Sequence, residues 1–97
     1  MNSNQLKDIA TKVSALINVS VSSGKVVPIR EVAALLRPLQ AKGASAELVL
    51  TRTSVGYTPS KQTLGYGLSE QVARELSKQI GPQLATTPRA WIAVEQR

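Results

Sequence analysis

No cysteine, no histidine and no phenylalanine occur in the 97 residues, and the aromatic side chains are Tyr57, Tyr66 and Trp91. Each absence excludes a class of chemistry. Without cysteine there is no disulfide framework and no thiolate nucleophile, a pattern that fits a reducing compartment. Without histidine the usual general base, pH switch and commonest metal ligand are missing. Acids are also few: Asp8, Glu31, Glu47, Glu70, Glu75 and Glu95. The closest two, Glu70 and Glu75, do not share a helix face at their spacing. No metal site and no cofactor is therefore expected. No apolar run approaches the ~20 residues of a membrane span. Asp8 and Lys12 interrupt any apolar core that a signal peptide would need. The expectation is a cytoplasmic protein with no membrane partner.

What remains is aliphatic and basic. The length suits one domain, 1–97, whose core must be built from Leu, Ile, Val and Ala. These bury less area per residue than aromatics do, which leaves a homodimer open as a further source of buried surface. Twelve Lys and Arg against six acids give a net charge of +6. A positive field favours phosphate polyanions, anionic membranes or acidic proteins. The cations are nevertheless spread along the chain with no polybasic tail, so a purely solubilising role carries equal weight.

Hydrophobic periodicity predicts three helices. The first spans Asn4 to Asn18, with Leu6, Ile9, Ala10, Val13, Leu16 and Ile17 as its core stripe. Asn2 or Ser3 can cap it. Val19 to Val27 reads as a connector with a short extended piece. Its Ser23-Gly24-Lys25 triplet lacks the first glycine and preceding strand of a phosphate loop. The second helix opens at Pro28 and carries Ile29, Val32, Ala33, Leu36 and Leu39. Pro38 must kink or end it, and Gly43 is the natural stop. Arg30 and Arg37 share one face, which reads as solvated in preference to phosphate-binding. The third helix, Leu68 to Gly81, aligns Leu68, Val72, Ala73, Leu76 and Ile80. Ser69 can cap it, Gly81 can adopt the left-handed stop, and Pro82 cannot continue the ladder.

Ala46 to Val55 and Thr63 to Leu68 have strand character, joined by turn residues from Gly56 to Gln62. The second strand is expected to set Leu64, Tyr66 and Leu68 on one face and Gly65 and Gly67 opposite. Such paired glycines indicate a bulge or tight helix packing, or else close approach of a ligand or partner to the backbone. Residues 88–96 can start as a helix at Thr87-Pro88, but the run Ala90 to Val94 favours a buried strand, with Trp91 filling the core. A helix-turn-helix is disfavoured because Gly81 to Thr87 is too long a turn for that motif. The resulting fold class is α+β in the order α-α-β-β-α-β, a hairpin and three-stranded antiparallel sheet packed against helices.

From Thr51 to Ser69 there is no acid, while Arg52, Ser54, Tyr57 and Lys61 lie in or beside the hairpin loop. Cations and hydroxyls suit phosphate oxygens, a Tyr ring can stack on a base, and a β-ribbon fits a major groove. Arg74 and Lys78, four apart on the third helix, are expected to assist. The expectation is a small non-enzymatic protein that contacts nucleic acid, chiefly its phosphates, through the hairpin at 48–66. The alternative is a protein–protein interaction module, an accessory or inhibitory factor from a bacterium or mobile element, docking through a sheet edge or the Trp91 region. Nothing arranges Tyr, Lys, Ser and carboxylates as nucleophile and base, so catalysis is not expected.

Overall fold

The computed structural model describes residues 3–53, 59–84 and 90–96. Helix α1 (Ser3–Ser22) is followed by α2 (Ile29–Leu36), strands β1 (Ala46–Arg52) and β2 (Ser60–Leu68), helix α3 (Glu70–Ile80) and strand β3 (Ala90–Gln96). This is the α+β order read from the sequence. The sheet order is β2-β1-β3, so β1 is central and antiparallel to both neighbours.

Helix α1 runs four residues beyond Asn18, through a segment read as a connector. The reason is tertiary: Ser20 is buried and Val21 packs against the core, which outweighs the weak helix propensity of Val and Ser. The stop lies at Gly24, with φ +70°. There Gly24 N–H donates to the Val21 carbonyl at 3.2 Å and Lys25 N–H to the Ser20 carbonyl at 2.9 Å. This double closure satisfies carbonyls that the helix end would otherwise orphan. Ser23-Gly24-Lys25 is thus a helix terminator.

Pro28 caps α2, and Pro38 sits in a 3-10 turn, Arg37–Leu39, that ends it. That turn carries Leu39 into the core well before Gly43. In α3, the Ser69 hydroxyl accepts from Val72 N–H at 3.3 Å. Gly81 keeps right-handed helical angles, φ −47° and ψ −54°, and not the expected left-handed ones. The chain tightens there into a 3-10 turn, Gly81–Gln83, which delivers Leu84 to the core. Asn18 Nδ2 donates to the Gln83 carbonyl at 2.9 Å, tying the turn to α1.

All three helices lie on one side of the sheet. Leu48, Leu50, Leu64, Leu68 and Ala90 join the α1 residues Leu6, Ile9, Ala10, Val13 and Ile17, the α2 residues Val32 and Leu36, and the α3 residues Ala73, Leu76 and Ile80 in one aliphatic cluster. Two irregularities in the β1–β2 ladder, between Ala46 and Leu48 and between Leu48 and Val49, break the alternation of β2. They overturn the expected face of Leu64, Tyr66 and Leu68: both leucines are buried, while Tyr66 is exposed. Gly67 sits at the first irregularity, between the partners of Ala46 and Leu48, with φ +73°. At Gly65 the cause is contact, since a Cβ there would overlap Leu36 Cδ1. Both glycines therefore serve the bulge and the seating of α2 on β2.

Candidate nucleic-acid interface

β3 pairs with β1 over its whole length, with Leu50 opposite Ile92 and Leu48 opposite Val94. Ile92 and Val94 pack on the helix-side core, so the alternate residues Trp91, Ala93 and Glu95 lie on the other face of the sheet. This corrects the placement of Trp91, which is 43% exposed and not core filling. Among the described residues no element packs on that face.

The open face can be read row by row from the register. Lys61, Thr51 and Trp91 form one row, and Thr63, Val49 and Ala93 the next. Glu47 and Glu95 stand opposite each other nearer the far end. Thr51 and Val49 are buried beneath their strand neighbours, whereas Lys61, Thr63 and Trp91 are exposed. Lys61 Nζ lies 3.6 Å from Glu95 Oε2, an exposed pair across the face. Pairs of this kind contribute little and exchange readily with solvent or a stronger anion.

Arg52 is on the helix side of the same end of the sheet, opposite Ser60 on one neighbour and Ala90 on the other. Its guanidinium donates to the Lys25 backbone carbonyl at 2.6 Å, so Arg52 and the Lys25 backbone meet on the helix side of this end, while Lys61 stands on the open face. Ser60, Lys61 and Gln62, read from the sequence as turn, are strand. Gln62 is held by two bonds: its Nε2 donates to the Val27 carbonyl at 3.0 Å, and its Oε1 accepts from Val27 N–H at 3.4 Å. Those bonds fix the connector carrying Lys25 against β2. No spacing in the sequence ties Lys25 to this group. Ser54 and Tyr57 lie outside the described residues.

Arg74 and Lys78 are not brought to this end. Ala73, Leu76 and Ile80 form the buried side of α3, which leaves Arg74 and Lys78 on its outward side, away from the sheet. Arg74 is paired with Glu70 at 2.6 Å, one turn earlier. The six expected site residues therefore divide: Arg52 and Lys61 share the hairpin end, Arg74 and Lys78 occupy the opposite layer, and Ser54 and Tyr57 fall outside the description.

Among the described residues no three His, Cys, Asp or Glu gather as metal ligands. Nor is any described helix long and apolar enough to cross a membrane. No protein-family model, no curated protein and no solved structure matches the chain, so a functional reading rests on the geometry of the molecule itself.

Proposed function

We propose that the protein is a small, non-enzymatic, cytoplasmic nucleic-acid-binding protein that holds phosphates at the hairpin end and receives a base on the adjoining open sheet face. The observation that carries this reading is the row Lys61–Thr51–Trp91, with Arg52 and Lys25 at the same end. A cation neutralises a phosphate, exposed hydroxyls such as that of Thr63 donate to its oxygens, and an exposed indole offers a stacking surface tolerant of any base. Glu47 marks the end where a polyanion would be repelled, and a phosphate at the hairpin end must displace Glu95 from its exposed pair with Lys61. Arg74 and Lys78 add to the long-range field without belonging to the contact surface.

The test uses Trp91, the one tryptophan, as reporter. Titration with single-stranded and duplex DNA and RNA at low salt is expected to quench its emission and raise the anisotropy of labelled oligonucleotide. Affinity should fall steeply with salt, with a slope of about 2–3 phosphate contacts. Absence of binding to all four at low salt ends the proposal.

A second reading, protein–protein recognition through the Trp91 region, is favoured by the acids on the same face. Exposed tryptophan is a common anchor of interfaces, and Glu47 and Glu95 would suit a partner bearing cations. Trp91→Ser abolishing partner capture while Lys61→Gln leaves it intact would select that reading.

A further inference from the structure

A second surface lies between β2 and α2, sharing Thr63 with the open sheet face. Between α2 and β2 runs a cleft of about 220 Å³ lined by Ile29, Ala33, Leu36, Gln40, Thr63, Leu64, Gly65 and Tyr66. Its floor is aliphatic, since Leu36 and Leu64 are fully buried core residues. Its walls carry exposed apolar surface at Ile29, 39% exposed, and Tyr66, 54% exposed. An apolar cavity of roughly 150 Å³ accepts a benzene-sized group. The cleft therefore has room for one large apolar side chain.

The cleft lining itself is uncharged, and helix geometry places two cations beside it on α2. On a helix the neighbours of Ala33 along the surface are the residues three before and four after, here Arg30 and Arg37. Both are exposed, and neither makes an ion pair among the described residues. Glu31 lies on the far side of α2, in line with Ala34 and Leu35 and not with Ala33. Two contacts fix α2 against β2 and so set the shape of the cleft. Gly65 lets Leu36 settle onto β2, and Gln40 Nε2 donates to the Tyr66 carbonyl at 3.0 Å, fixing the closed end.

We infer that this cleft is a docking site for an acidic peptide segment, which inserts one apolar side chain between Ile29, Ala33 and Leu64 and sets its carboxylates against Arg30 and Arg37. Charge complementarity selects an anion. The aliphatic floor of Leu36 and Leu64 then selects a branched apolar side chain over a flat base; Tyr66 stands in the wall and not on the floor, and the oligothymidylate arm of the test reads whether a base uses it. Arginine adds planar, two-point recognition of carboxylates to the non-directional attraction of the field.

The test is an amide-shift titration of the intact chain with three probes: a capped peptide of aspartate and glutamate around one central leucine, its serine-for-leucine version, and an oligothymidylate. The leucine peptide is expected to shift Ile29, Ala33, Gly65 and Tyr66, and to bind about tenfold more tightly than the serine version. Ile29→Asp and the pair Arg30→Glu/Arg37→Glu should each weaken it by about tenfold or more. The melting temperature should hold, because all three side chains are exposed. Equal binding of the two peptides, stronger cleft shifts with the oligothymidylate, or no cleft shifts at millimolar peptide would each overturn the inference. The two peptide outcomes leave the nucleic-acid reading untouched, since that is read at Lys61 and Trp91, whereas cleft shifts with the oligothymidylate would move the nucleic-acid site to the cleft.

Discussion

Gly65 shows how a single missing side chain sets the spacing of two elements. A Cβ at that position would occupy the space of Leu36 Cδ1, and Leu36 is wholly buried, so it has little room to yield. Gly65→Ala is expected to lose about 1–3 kcal/mol by overpacking. In a thermal melt this appears as a drop of roughly 4–8 °C per kcal/mol for a domain of this size. Combined with Leu36→Ala, which removes the clashing methyl, the two losses should sum to less than their separate values by at least about 0.5 kcal/mol. Full additivity would show that the two residues do not meet. A different cost attaches to Gly24. Its φ of +70° lies where an L side chain is disfavoured, and the position has open space around it. Gly24→Ala should therefore cost about 1–2 kcal/mol from backbone strain alone, measurable by urea denaturation.

At the scale of elements, the connector between α1 and α2 depends on one side chain. Gln62 supplies both a donor and an acceptor to Val27, standing in for a missing strand partner. Gln62→Leu should cost about 1–3 kcal/mol, because two partly buried backbone groups lose their partners. Hydrogen exchange at the Val27 amide should speed up by more than global unfolding explains. Element identity and order were legible in the chain because apolar periodicity and turn residues agree. Ser69 and Pro38 marked an element's start and an element's end correctly. The failures have a common physical source. Val19 to Ser22 stayed helical, Gly81 stayed right-handed, and Tyr66 left the face of Leu64, each because packing against a distant element outweighed local preference. Trp91 misled for another reason: alternation along β3 fixes that neighbours face opposite ways, but not which side the helices cover. For the candidate interface, Arg52 and Lys61 were legible together as residues in and beside the hairpin loop, although Lys61 is strand and not turn. Lys25 was not, since its approach depends on the tertiary bond from Arg52.

For the whole molecule, the placement of charge decides what a polyanion can touch. Lys61→Gln is expected to weaken oligonucleotide binding about threefold to tenfold and to flatten its salt dependence by about one phosphate contact. Arg74→Gln, on the opposite layer, should change affinity by less than about twofold. Anisotropy titrations of both variants across salt check this, and equal effects would imply a field without a site. The position of β1 in the middle of the sheet has a separate consequence, for the route by which the chain reaches its native state. β1 is separated from β2 by seven residues, 53–59, but from β3 by a stretch that includes all of β2 and α3, with Ala46 paired to Gln96. Long loops close slowly. Until that closure, Leu48, Val49 and Leu50 form an unsatisfied apolar edge, able to pair with the same segment of another molecule. Refolding yield should therefore fall as protein concentration rises, and any lesion that delays the arrival of residues 90–96 should make inclusion bodies its first symptom.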